Sequence, residues 1–304
     1  MEIVRIQPSP GQEDRLTRFT FQPCVLALGA FDGVHKGHQA LIAEAQKIAR
    51  NNGLICGVMT FDPNPKAFLF PSRENVKALT PLPAKAAILQ QLGVDVLIVV
   101  EFNHAFSRLS PERFVEQYLL GLHCRHAVVG FDFRYGYQGR GHAQKLAREA
   151  KGRMAVTIVE PVVCGREKIS STAIRRRLLA GDVAVIPQYL GRPYEVQGEM
   201  GDVLHRTPGE KLFRIMVSED YLLPKLGDYL AEVEIKDCAY LGRGRIRCGA
   251  KTPVLFEPWG EQPAEDWRKQ PVTIRWLRSL PPVSSGPGEG YKSVKDERFV
   301  FESS

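Results

Sequence analysis

The chain has 304 residues, 44% of them hydrophobic, with a formal net charge of +7, and this length exceeds the size at which one core stops growing, so two domains are expected. No apolar stretch approaches the roughly 18 residues of a membrane span, and Met1-Glu2-Ile3-Val4-Arg5 lacks the basic-then-apolar pattern of a leader, so a cytoplasmic protein with no membrane partner is expected. The positive field favours anionic ligands, yet its Lys and Arg residues are dispersed, which points to phosphorylated small molecules and away from nucleic acid.

In chain order, short apolar runs at residues 25–28, 55–61, 96–100, 126–129 and 156–159 predict strands covered on both faces, as in a parallel sheet. Between them, Leu41, Ile42, Ala45, Ile48 and Ala49 follow helical spacing, then Ala86, Ile88, Leu89 and Leu92, then Phe114, Tyr118 and Leu119. The first of these helices should end near Gly53, and the third should open with Ser110 as its cap and Pro111 in its first turn. Strand and helix in alternation imply a doubly wound α/β domain over residues 1–188.

The pattern changes after Leu190-Gly191-Arg192-Pro193-Tyr194. Residues 229–235 and 272–277 alternate apolar with polar side chains, the mark of half-buried antiparallel strands, so a smaller β domain is expected over 189–304. Residues 281–290 read as a loop, and Trp259, Trp267 and Trp276 as core. The six cysteines, Cys24, Cys56, Cys124, Cys164, Cys238 and Cys248, form no C-x-x-C pair and have no histidine at zinc-ligand spacing; reduced, buried thiols and no protein metal centre are expected.

The chemistry concentrates in four stretches. The strand at 25–28 runs into Gly29-Ala30-Phe31-Asp32-Gly33-Val34-His35-Lys36-Gly37-His38 ahead of a helix, where glycines allow close approach and backbone N–H groups meet phosphate. His35 and His38, three apart, face one side of such a ligand and donate to its oxygens. In Lys168-Ile169-Ser170-Ser171-Thr172-Ala173-Ile174-Arg175, Ser170 or Ser171 caps a helix whose first turn faces an anion, with Arg175 one turn later on the face of Ser171. Thr60-Phe61-Asp62-Pro63-Asn64-Pro65 and Gly130-Phe131-Asp132-Phe133-Arg134-Tyr135-Gly136 each follow a strand, at the sheet edge where open α/β folds bind ligands.

Together these stretches resemble the prokaryotic bifunctional riboflavin kinase and FAD synthetase family, whose first domain carries a G-x-F-D-G-V-H-x-G-H turn, T-F-D-P-x-P and V-G-x-D-F-x-x-G strand ends, and an I-S-S-T-x-I-R helix start, in this order. The resemblance covers roughly residues 15 to 195. It implies a Rossmann-like nucleotidylyltransferase fold and the transfer of AMP from ATP to FMN, giving FAD and pyrophosphate with Mg2+. It casts His35, His38 and Arg175 as catalytic groups on the phosphates, and Gly29, Phe31, Asp32, Gly33, Gly37, Ser171 and Thr172 as the ATP site. Asn64 and Asp132 would lie beside the flavin and its phosphate, with Asn64 standing where the family commonly has histidine. The attacking FMN phosphate is already anionic, so no general base is required, and the metal would ride on substrate phosphates.

The family's second domain is a small β-barrel that phosphorylates riboflavin through a G-x-P-T-A-N signature. None of the 21 prolines of this chain precedes a threonine, and the corresponding stretch reads Met200-Gly201-Asp202-Val203-Leu204-His205-Arg206-Thr207. Glu257 also lacks the family's surroundings for a catalytic carboxylate, so kinase activity is expected to be lost. Two other readings of the first domain stay open: a nucleotidyltransferase with a different acceptor, and a flavin- or nucleotide-binding regulator without turnover.

Overall fold

The computed structural model describes residues 1–9, 22–69, 77–207, 210–236, 238–247, 253–260 and 268–281. The apolar runs become β2 (Cys24–Leu28), β3 (Ile55–Asp62), β4 (Val96–Glu101), β5 (Cys124–Gly130) and β8 (Ala155–Val159), joined by an edge strand β1 (Glu2–Ile6) that the apolar pattern does not announce. Their order is β1-β4-β3-β2-β5-β8, and every neighbouring pair is parallel. β2 to β5 are buried on both faces, as continuous Val, Leu and Ile runs require. β8 is the exception, partly exposed along its whole length because it pairs on one side only.

The helices follow from the spacing of apolar residues. α1 (Lys36–Asn52) buries Leu41, Ile42, Ala45 and Ala49 against the sheet, and stops at Gly53, whose left-handed backbone (φ 62°) lets its N–H reach the carbonyls of Ala49 and Arg50. Short α2 (Pro65–Leu69) and longer α3 (Leu82–Gln91) follow β3, and α4 (His104–Ser107) follows β4. Ser110 does cap α5 (Pro111–Phe114), accepting from the Arg113 N–H at 3.2 Å; the winding then loosens to a π-turn over Val115–Leu119. A small hairpin of β6 (Arg134–Tyr135) and β7 (Gly141–His142) leads into α6 (Ala143–Glu149), and β9 (Val163–Cys164) with β10 (Glu167–Lys168) leads into α7 (Ser171–Ala180) and α8 (Ile186–Leu190).

From β2 the chain builds outward through β3 to β4, then returns to place β5 on the other side of β2. The strand order therefore reverses between β2 and β5, and the crevice at their carboxyl ends is where an open α/β sheet takes its ligand. The turn from Gly29 to His38 leaves β2 there, and the Phe131–Tyr135 stretch leaves β5 beside it.

The second unit is a closed antiparallel barrel in the order β11-β12-β15-β14-β13-β16, with β11 Tyr194–Thr207, β12 Glu210–Val217, β13 Gly227–Ile235, β14 Cys238–Ile246, β15 Pro253–Pro258 and β16 Pro271–Leu280. Period-two alternation places Tyr229, Ala231, Val233 and Ile235 of β13, and Val272, Ile274 and Trp276 of β16, inside. Trp276 is fully buried; it meets Tyr229 edge-on at 5.4 Å, and Gly244 lies under it, where an added Cβ would sit 3.0 Å from the indole. Ile174, Leu178, Val183, Ile186, Tyr189 and Leu190 share one hydrophobic core with these barrel residues, so α7 and α8 belong to the barrel's core.

Two expectations are corrected. Trp259 is exposed rather than core, because Val254, Phe256 and Pro258 take the inward positions of β15 and Trp259 follows the strand's end. Cys238 is exposed at the start of β14 and Cys164 is half-buried, whereas Cys24, Cys56 and Cys124 are buried free thiols whose pKa burial pushes up, to about 12 for Cys24 and Cys56. Cys248, Trp267 and residues 282–290 lie outside the described residues. Among the described residues no helix is long and apolar enough to cross a membrane.

Truncating the barrel's central side chain, Trp276→Ala, should cost about 3–5 kcal/mol. Denaturant unfolding would read this as a lower midpoint with an unchanged slope.

Candidate active site

The turn after β2 is strained and held from outside. Phe31 (φ 48°) and Val34 (φ 43°) both occupy left-handed backbone that side chains disfavour, beside Gly33 (φ 88°), which adopts it freely. For a β-branched residue such as Val34 this conformation persists only where surrounding bonds impose it.

Those bonds come from four side chains, each donating to a different carbonyl. Lys85 of α3 donates to Ala30 O (2.8 Å), Ser171 of α7 to Asp32 O (2.8 Å), Arg192 to Gly33 O (3.0 Å) and Gln39 of α1 to Val34 O (2.9 Å). Phe31 O accepts from the Val34 N–H at 3.2 Å. With the carbonyls drawn toward these donors, the N–H groups, antiparallel across each trans peptide, point the other way. The start of α1 lies directly beyond this turn, where the helix dipole favours an anion.

Asp32 ties this turn to two other segments. Only 4% exposed, it accepts at Oδ1 from the Leu79 and Thr80 N–H groups (2.8 and 3.3 Å) and at Oδ2 from Arg175 Nη2 (2.5 Å). Arg175 also donates to Lys77 O at 2.6 Å. Residues 77–80 are thereby stitched to α7 and the turn, while Ala78 bridges to Tyr221 of the barrel.

His35 is the cap of α1, and its Nδ1 accepts from the His38 N–H at 3.2 Å. A neutral His35 therefore carries its proton on Nε2, which makes that atom a donor. Its ring stacks on that of His38 at 3.6 Å and 12°, and Phe31 packs against His38 at 5.0 Å. Gly37 permits this: a Cβ there would lie 3.1 Å from His35 Nδ1. Burial holds the His35 pKa down to about 4, and burial together with the neighbouring His35 and Lys85 holds His38 well below the usual range. Two stacked, neutral imidazoles thus stand at the helix start as hydrogen-bond donors that do not need protonation.

The remaining sequence-derived residues fall around this centre. Gly29 donates its N–H to Met59 O at the end of β3. Ser170, and not Ser171, caps α7, accepting from the Ala173 N–H; Thr172 is exposed in the first turn. Asp132 pairs with Lys168 at 2.5 Å, and Lys168 lies 4.2 Å over the Phe131 ring. The charges of Lys168 and Asp132 act on His35 in opposite senses, both less than burial does. Asn64 is engaged locally, its Oδ1 accepting from the Lys66 N–H at 3.0 Å at the start of α2. Among the described residues no group of three or more His, Cys, Asp or Glu side chains is gathered as a dedicated metal cage would need. A crevice of about 600 Å³ between Pro81, Pro83 and Ala84 and the barrel's β11 and β12 is lined by none of these motif residues.

Sequence reasoning missed Lys85, Arg192 and Gln39. Lys85 carried a signal, since it stands four residues before Leu89 on the apolar face of α3. The targets of all three are backbone carbonyls, which leave no trace in side-chain patterns.

Two outcomes follow. Asp32→Asn removes the charge facing a half-buried Arg175 and should lower stability by roughly 2–4 kcal/mol in denaturant unfolding. The buried histidines make stability depend on pH. An unfolded His35 takes up its proton near pH 6.5, the folded one only near pH 4. Protons therefore favour the unfolded chain across that window, and the contribution is complete above pH 6.5 and lost on descent to pH 4. The melting temperature should fall between pH 6.5 and 4, and less steeply in His35→Gln; parallel curves for the two proteins would contradict this.

Comparison with known proteins places this geometry. The family model described as FAD synthetase matches residues 18–173. A Listeria monocytogenes protein named bifunctional riboflavin kinase/FMN adenylyltransferase is 47% identical over 224 residues, covering 73% of this chain and 71% of the relative. A Bacillus subtilis protein of the same name is 40% identical over 242 residues, covering 79% and 76%. A crystal structure described as a macrolide-efflux protein from Streptococcus pneumoniae superposes with a TM-score of 0.80 at 27% identity, over 97% of this chain and 94% of that one. With the matched region spanning the braced turn, both strand-end loops and the start of α7, the chain belongs to the FAD synthetase family.

Proposed function

We propose that this chain transfers the adenylyl group of ATP to the phosphate of FMN, giving FAD and pyrophosphate in the cytoplasm. The observation that carries the reading is the braced turn with its stacked neutral histidines, set at the crevice where the sheet order reverses. A phosphate oxygen of FMN forms the new bond to the α-phosphorus, the bond from that phosphorus to the bridging oxygen breaks, and pyrophosphate leaves with the electron pair. No proton moves, so no side chain serves as a base; the work is positioning and charge neutralisation. His35 Nε2–H and the His38 imidazole donate to the phosphate oxygens, and the N–H groups of the turn add fixed donors. As the triphosphate docks, its charge opposes the effect of burial on the histidines and strengthens these bonds. Arg175 and Ser171 face the same ligand from α7, and both also hold Asp32, so the ATP site and its support are one network. Magnesium enters as the ATP complex, held by the phosphates. Asp132, Lys168 and the Phe131 ring offer the flavin side a charged and aromatic rim, with Asn64 at the neighbouring strand end.

We propose further that riboflavin phosphorylation is lost. Where the family keeps its Pro-Thr signature, residues 200–207 here belong to β11 and pair with β12, from Met200 opposite Ile215 to Thr207 opposite Glu210. Glu257 is ion-paired to Arg245 on the outer face of the barrel.

Chromatography of reactions with MgATP and either flavin tests both statements. FMN should yield FAD and pyrophosphate, and riboflavin should stay unconverted; FMN recovered intact sinks the first statement, and FMN formed from riboflavin the second. His35→Ala and His38→Ala should each lower kcat by about 10²-fold or more, the scale of losing a preorganised donor.

A further inference from the structure

Lys85 is a cation in the wrong surroundings for a purely structural role. It is 6% exposed, and α3 presents it on the same buried face as Ala84 and Leu89. Its ammonium donates to Ala30 O at 2.8 Å and to Thr60 Oγ1 at 3.3 Å, and Thr60 itself donates to Ala30 O at 3.0 Å. Among the described residues no carboxylate approaches it within ion-pair distance. Asp32, the acid of this turn, is committed to Arg175. Burial lowers the Lys85 pKa, and the more distant Asp32 and Asp62 only partly oppose it. An ammonium buried without a counter-ion is destabilising, and a methionine of similar length would fill the same space without that cost.

The location explains why such a residue would be kept. Ala30 O is the first of the pinned carbonyls, and its peptide continues into the Phe31 N–H, so a cation on the carbonyl polarises an N–H on the opposite side of the turn. The same ammonium is close enough to act on His38. A polyanion at the start of α1 would supply the negative charge that Lys85 otherwise lacks.

Resting on the adenylyl-transfer reading above, we propose that Lys85 is a positioning residue for the triphosphate: from behind the turn it fixes Ala30 and presents a buried positive charge that the bound phosphates complete. Its removal therefore separates stability from affinity. Lys85→Met should unfold at the same or a higher denaturant midpoint than the parent chain. It should nevertheless bind Mg2+-α,β-methylene-ATP at least about tenfold more weakly in calorimetric titration, with adenosine binding unchanged, since only charged ligands feel the lost cation. Lys85→Arg, which keeps the charge, should recover most of the analogue's affinity. Equal analogue affinity in Lys85→Met overturns the inference, as does a loss that falls equally on adenosine, or a variant that fails to fold. A parent chain that does not bind the analogue overturns it too. If analogue binding and its Lys85 dependence hold while FMN yields no FAD, only the assigned reaction fails.

Discussion

The ion pair between Asp32 and Arg175 is the constraint from which the rest of the site follows. It joins segments 143 positions apart, and each partner binds backbone as well: Asp32 takes the Leu79 and Thr80 N–H groups, and Arg175 the Lys77 carbonyl. A partly buried pair gains little from Coulomb attraction alone, because desolvation offsets it. Here its value lies in geometry: both charges are further satisfied by peptide groups, so turn, connecting segment and helix have one mutual arrangement. The positive φ values at Phe31 and Val34 are tolerable only within such a fixed frame.

Much of this frame was legible in the sequence. Doubly buried runs announced the parallel sheet, Gly53 and Ser110 marked helix ends, and the turn from Gly29 to His38 stood out as chemistry because two histidines and three glycines seldom meet between a strand and a helix. What escaped prediction has physical causes. β1 is a half-exposed edge strand of five residues interrupted by Glu2 and Arg5, so it lacks the continuous apolar run of its neighbours. The bonds from Arg175 to the Asp32 carboxylate and from Ser171 to the Asp32 carbonyl could not be read from the motif. A motif preserves residue types without revealing whether a side chain faces ligand or backbone. Long-range donors onto carbonyls, such as Arg192 to Gly33 across 159 positions, are invisible until the chain is folded.

The histidines illustrate how burial sets chemistry. In water a pair of imidazoles near neutrality would be partly charged and would repel. Stacked on each other at the helix start, with Phe31 against His38, they are held toward the neutral form by burial, while Lys85 and Arg175 bond to the backbone and carboxylate of the same turn.

The core shared by α7, α8 and the barrel has a consequence for how the chain can change over generations. Ile174 and Leu178 lie on the helix that carries Ser171 and Arg175, in one core with barrel side chains. Deleting the barrel would strand an apolar helix face in water and unseat Arg175 from Asp32. A lineage that gave up the barrel's chemistry would still be obliged to inherit its strands, leaving their outer surface and loops free to drift while the inward-facing residues stay under selection as a foundation for the neighbouring site.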